Sequence, residues 1–294
     1  MVRILLDRSV FHRSKFDQLR TSPLSSLVQK GKVKVLFGPQ FLEETWMYGL
    51  QHGTRLTAQW RFLTSLKGAK WLRPVSEILA LELNGRAAGR KYHLQAKSTV
   101  THLLSTSADF IGGRVPAALL TQLKQEISEN KRIRAVIRQD RLRMRRKYRG
   151  AFKDFSSFFD QHVEPFIEQR LVREYPDLPT SLATWQQARS QGKFTEQFLR
   201  TRLSVFYLPI ACQSLRLGDN DQADADQLPF LLWADIMVSD DTKFMREAFN
   251  LLFGQSDKRF MPLTQFLAFL ESSAAAATAA NKPQHGARTL HRQI

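Results

Sequence analysis

Four acids in this chain are placed so that they could meet at one point: Asp7, Glu44, Asp224 and Asp241. Asp7 closes the apolar run Val2-Arg-Ile-Leu-Leu-Asp7, which reads as a buried strand. Asp241 follows a second short apolar run, Ile236-Met-Val238. Glu44 falls early in a helix pattern that follows a third run, Val33-Lys-Val-Leu-Phe37, and Asp224 heads the segment leading to Ile236. In open α/β sheets, sites gather at the carboxyl ends of strands, so the four are expected on one rim. Carboxylates repel one another unless a cation stands among them. Together they make a hard oxygen-donor set suited to Mg²⁺ or Mn²⁺. Such an ion bridges phosphate oxygens, lowers the pKa of a bound water and stabilises a leaving oxygen. The expected chemistry is therefore phosphodiester hydrolysis.

Each position has neighbours and local duties that compete with this role. Glu43 competes with Glu44, Asp226 or Asp221 with Asp224, and Asp240 with Asp241. Asp7 also fits a helix N-cap ahead of Ser9. The Glu pair fits a solvated first helical turn, Asp221–Asp226 a polar loop, and Asp240-Asp241 a capped turn. Asp235 reads as a cap at the strand entry rather than a ligand.

The elements that must position these acids form an alternation of strand, helix, strand and helix at the N-terminus, which argues for an α/β fold. From about 54 to 204 the pattern is almost wholly helical, and strand character returns only at 236–238. The expectation is a core made of two halves, 1–53 and 205–270, interrupted by a large helical insertion, 54–204. The tail, 271–294, carries an alanine run followed by polar and basic residues, and is expected to be disordered.

Charge is uneven. The chain has 294 residues, 44 Lys+Arg against 27 Asp+Glu, and a net charge of +17. Nucleic acid is the first partner this implies. Lys131, Arg132, Arg134, Arg138, Arg141, Arg143, Arg145, Arg146, Lys147 and Arg149 stand against a single acid, Asp140, in one predicted helix, 131–149. Ile133, Val136, Ile137, Met144 and Tyr148 keep partial helical spacing, so the segment is expected to dock by one side and show charge on the other. Like charges at this density repel unless something anionic offsets them. A nucleic-acid backbone, bound without base specificity, fits; an acidic protein partner would also satisfy the helix.

Several segments resemble the PIN-like nuclease family. The carriers are Leu5-Leu-Asp-Arg-Ser-Val-Phe11, Phe41-Leu-Glu-Glu44, Asp224 ahead of Ser239, and Ser239-Asp-Asp-Thr-Lys-Phe244. The resemblance covers about 1–50 and 205–255, not the middle. It implies a PIN-like three-layer core with a central, mostly parallel sheet. It also implies a metal-dependent endoribonuclease using Asp7, Glu44, Asp224 and Asp241, with Ser9, Ser239 and Asp240 in support. RNA is then the favoured substrate over DNA, and an antitoxin is one form the acidic partner would take.

Other classes find less support. Cys212 is the only cysteine, which rules out a disulfide framework within one chain. No apolar run approaches the ~18 residues needed to span a membrane, and a cytoplasmic protein is expected. His12, His52, His93 and His102 lack metal-ligand spacing. Walker and Gly-x-Ser-x-Gly motifs are absent. Ser9 stands where a haloacid-dehalogenase phosphatase carries its second Asp. The main alternative is a non-catalytic nucleic-acid-binding or partner-binding protein whose acids are caps and loops.

Overall fold

The computed structural model describes residues 1–12, 14–87, 91–149, 155–163, 165, 169, 182–191, 193–211, 218 and 226–279. The three apolar runs become strands β1 (Val2–Leu6), β2 (Val33–Phe37) and β4 (Ile236–Val238). Two shorter strands, β3 (Lys70–Trp71) and β5 (Arg259–Met261), flank them. All five form one sheet in the order β3-β2-β1-β4-β5, and every pairing is parallel. The expected α/β class holds, with a sheet that is wholly rather than mostly parallel.

Helices connect the strands: α1 (Ser14–Thr21), α2 (Leu24–Gln29), α3 (Pro39–Ser65), α4 (Val75–Leu83), α5 (Lys97–Ile111), α6 (Ala117–Lys147), α7 (Phe155–His162), α8 (Leu182–Gln191), α9 (Lys193–Ala211), α10 (Phe244–Phe253) and α11 (Leu263–Ala279). Single 3-10 turns lie at Arg8–Phe11 and Leu228–Leu232. Side chains alternate across each strand. Ile4, Leu6, Val33, Val35, Phe37, Ile236 and Val238 therefore pack on one face, with residues of α1, α2, α3 and α11. Leu5, Leu36 and Met237 pack on the other, with residues of α4, α9, α10 and the second 3-10 turn.

The segment read as an insertion is not separate from the core. Its expected boundaries, 53/54 and 204/205, both fall inside helices, α3 and α9. Strand β3 pairs with β2, and Phe194, Phe198, Leu199 and Leu208 of α9 are buried against the sheet. A sheet edge accepts a two-residue strand that carries no period of its own, so composition could not announce it. The tail expectation also changes. Residues 271–279 continue α11, where the alanines favour helix and buried Phe266 and Leu270 anchor the preceding turns. Residues 280–294 lie outside the described residues. No helix among the described residues is long and apolar enough to cross a membrane.

One buried acid belongs to the architecture. Glu82, at the end of α4, accepts the Phe194 N–H at 3.2 Å and the Thr195 N–H at 2.7 Å at the start of α9. It also accepts the Thr195 and Tyr92 hydroxyls, each at 2.5 Å. A carboxylate at a helix N-terminus satisfies orphan amides and complements the dipole. Burial, then the hydrogen bond to Glu82, keeps the Tyr92 phenol protonated above its ordinary range. Glu82→Gln turns donors toward an NH₂ group and should lower unfolding free energy by about 2–3 kcal/mol. Urea unfolding measures this, and a loss below ~0.5 kcal/mol would show that the carboxylate contributes little.

Candidate functional site

The parallel β1 and β4 end side by side, with Leu6 paired to Val238. The chain therefore delivers Asp7 and the Ser239-Asp240-Asp241 turn to the same rim. Pro39 fixes the first turn of α3, whose second turn carries Glu44. A pocket of ≈ 260 Å³ opens there, lined by Asp7, Arg8, Ser9, His12, Glu44, Tyr48 and Asp241. Three of the four expected acids meet in it. Asp224, its alternative Asp221 and the side chain of Glu43 lie outside the described residues.

Asp7 is 6% exposed and held from every side. Its Oδ1 accepts the Arg8 N–H at 2.7 Å and the Gln227 amide at 3.0 Å. Its Oδ2 accepts the Ser239 hydroxyl at 2.7 Å, the Ser9 hydroxyl at 2.5 Å and the Ser9 N–H at 3.4 Å. Both serines also accept. Ser9 Oγ takes the Asp240 N–H at 3.0 Å and Ser239 Oγ the Asp241 N–H at 3.2 Å. The two hydroxyls thus lock the end of β1 to the turn after β4, a specific form of the support expected of Ser9 and Ser239.

The remaining acids divide by duty. Asp241 Oδ1 accepts the Lys243 and Phe244 N–H groups at 3.0 and 3.2 Å, capping α10. Asp240 accepts the Leu263 N–H at 2.8 Å, at the start of α11, and pairs with Lys15 at 2.9 Å. It braces two helices, and it is absent from the pocket lining. Asp226 is engaged by Arg202 through both oxygens, at 2.8 and 2.7 Å. Asp235 sits at the opposite end of the sheet, 2.6 Å from Arg3. Burial opposes its charge, but the Arg3 hydrogen bonds outweigh burial and hold it below the usual carboxylate range.

Arg8, His12 and Tyr48 are pocket residues that sequence reasoning passed over. Tyr48 was legible in principle, because it stands one helical turn after Glu44. His12 has no metal-ligand spacing in the sequence, and the 3-10 turn after β1 brings it to the rim. The Arg8 guanidinium lies 4.9 Å from the Tyr48 ring centre. Burial lowers its pKa, while Glu44, Tyr48 and Asp7 act in the opposite sense. A larger pocket, ≈ 600 Å³, is lined by residues including Glu196 and Arg189, but Glu196 is already paired with Arg189 there.

The oxygen donors of Asp7, Glu44 and Asp241 suit a hard divalent cation in kind. They do not close around one by themselves. Among the described residues, no three His, Cys, Asp or Glu side chains form a group that could hold a metal ion.

The basic helix forms and is longer than expected. α6 has 31 residues, about 45 Å of helix at 1.5 Å per residue. Every described position of 121–133 is exposed. Two expectations are overturned. Arg141, assigned to the nucleic-acid surface, is 2% exposed, and Ile133 and Val136, assigned to docking, are 43% and 52% exposed. The inward stripe instead runs through Arg134, Ile137, Arg141, Met144 and Tyr148, all buried or half-buried. That three- and four-residue spacing is what one helix face requires. Lys131, Arg132, Arg138, Arg143, Arg146, Lys147 and Arg149 are exposed, and Arg145 half-buried.

Compared with family models, curated proteins and solved structures, the chain matches none.

Proposed function

We propose that this protein is a metal-dependent nuclease with a PIN-like core, acting in the cytoplasm and hydrolysing phosphodiester bonds in RNA. The observation that carries the reading is the meeting of Asp7, Glu44 and Asp241, from three distant segments, in one pocket at the carboxyl ends of parallel strands. Grouped carboxylates are unfavourable without cations among them, and Arg8 brings one positive charge against three acids. Asp7, Glu44, Asp241 and Asp224 would hold Mg²⁺ or Mn²⁺, which would supply charge neutralisation and an acidified water. The chain's own groups do the positioning. Ser9, Ser239 and Gln227 fix the Asp7 carboxylate, and the α10 cap fixes Asp241. The exposed cations of α6 carry the RNA backbone. The choice of RNA over DNA rests on the family resemblance.

A second reading has a specific observation in its favour. The oxygens of Asp7 and one oxygen of Asp241 already receive hydrogen bonds, as caps do. A non-catalytic nucleic-acid-binding protein, with these acids as braces, is that alternative. Mn²⁺ separates the two. A site that binds only the folded chain adds about 2.7 kcal/mol at a hundred times its Kd, a rise of a few degrees in Tm for a chain of this size. The expected result is a Tm rise with Mn²⁺, reversed by EDTA and absent in Asp241→Asn, with RNA cleavage lost in the same variant. An unchanged Tm together with no metal-dependent cleavage would establish the binding-only reading.

A further inference from the structure

Arg8 brings a buried cation into the acidic pocket, where Glu44 and Asp7 favour its charge. It is 8% exposed, and among the described residues its guanidinium lies against a neutral amide and two ring faces. Its Nη2 donates to Gln59 Oε1 at 2.8 Å. Its guanidinium lies 4.9 Å from the Tyr48 ring centre and 5.8 Å from that of Phe11. Its buried Nε has no hydrogen-bond partner. The guanidinium is also held in place. Gln59 donates its own amide to the Phe11 carbonyl at 2.6 Å, which turns Oε1 toward Arg8. Burying a charge with a donor left unused is costly. Such a group is retained where a partner arrives from outside. A guanidinium presents five N–H donors in a rigid fork, and its best complement is the planar edge of a carboxylate or a phosphate. The pocket wall already carries three carboxylates, which repel a carboxylate and a phosphate alike. On the nuclease reading, a cation held by those acids would offset the repulsion for a phosphate.

We infer that Arg8 is a phosphate-binding residue of this pocket, taking a non-bridging oxygen of the substrate's phosphodiester on the side away from the carboxylates. This rests on the nuclease reading for the identity of the anion. The site then needs fewer cations than an all-acid one, because a fixed guanidinium supplies part of the positive charge facing the phosphate.

Inorganic phosphate is the probe, titrated calorimetrically into the full chain in Mg²⁺, alongside cleavage kinetics on an oligoribonucleotide. Arg8→Lys keeps the charge and removes the fork. It should weaken phosphate binding by roughly tenfold and lower kcat/KM by about a hundredfold, in a protein that remains folded by its melting curve. Arg8→Met should remove measurable phosphate binding; if it fails to fold, Arg8→Lys decides. Wild-type protein that takes up no phosphate overturns the assignment, as does Arg8→Lys with wild-type phosphate affinity. The two readings fail separately. Cleavage that persists unchanged in Arg8→Lys sinks the Arg8 role alone. Arg8-dependent phosphate binding in a wild-type protein that cleaves nothing sinks the nuclease reading and leaves the anion site.

Discussion

Asp7→Asn should reduce RNA cleavage by at least ~10³-fold, about 4 kcal/mol of transition-state stabilisation, while RNA affinity stays level or rises. The substitution removes one negative charge from a pocket that also carries Glu44 and Asp241. It leaves the shape of the side chain unchanged. The hydrogen-bond network limits the structural damage. The Asn oxygen can serve the Arg8 N–H and the Gln227 amide, as Oδ1 does now. Its NH₂ then faces the Ser9 and Ser239 hydroxyls, which rotate to accept. The contact to the Ser9 N–H, at 3.4 Å, is lost, and the two hydroxyl protons give up Oδ2 as acceptor. The expected stability loss is about 1–2 kcal/mol, a few degrees in Tm. Single-turnover cleavage and filter binding on the same preparation, with a melting curve beside them, make the measurement. Undiminished cleavage by a folded Asp7→Asn protein would refute the metal-dependent nuclease reading.

The second large effect belongs to α6. Lys131, Arg146, Lys147 and Arg149 are exposed, so replacing all four by Gln removes charge without opening the core. If each neutralises one phosphate of a single strand, the slope of log K against log salt becomes shallower by about 3, near 0.7 per contact. Affinity at low salt should fall by roughly 10²-fold or more, without a change in sequence preference. The cleavage rate at saturating RNA should hold, because these residues bind and do not react. Arg141→Gln is the informative contrast. Arg141 is buried, so this variant should lower Tm and leave the salt slope unchanged. An unaltered slope in the fourfold variant would move the nucleic-acid interface away from this helix.

Several elements were legible because burial writes them into composition. β1, β2 and β4 are short apolar runs, as strands covered on both faces must be. The edge strands were not legible. Lys70–Trp71 and Arg259–Met261 are too short to show a period, and they are strands because β2 and β4 offer open edges. The basic helix was legible as a helix, but its rotation was not. Ile133 and Val136 fit an apolar stripe as well as Ile137 and Met144 do, and packing against α9 selects the stripe containing Arg141. A long arginine stem can lie along an apolar surface, so charge alone does not mark a residue as outward.

The candidate site divides in the same way. The types and order of its acids could be read from the sequence, because a strand ending in a carboxylate is a local feature. Local features also fixed the capping duties, as the backbone N–H groups that Asp7 and Asp241 accept lie within three residues of them. Which groups share the pocket is a long-range matter. Parallel pairing of β1 with β4 sets Ser239 against Asp7. The course of α3 brings Gln59 back to Arg8 and carries Glu44 and Tyr48 to the rim. The amino-acid sequence by itself thus determined an α/β chain with carboxylates at strand ends and one strongly basic helix, since period and composition are local. Only the tertiary structure decided that a buried arginine stands among those carboxylates, because that meeting depends on contacts between residues far apart in the chain.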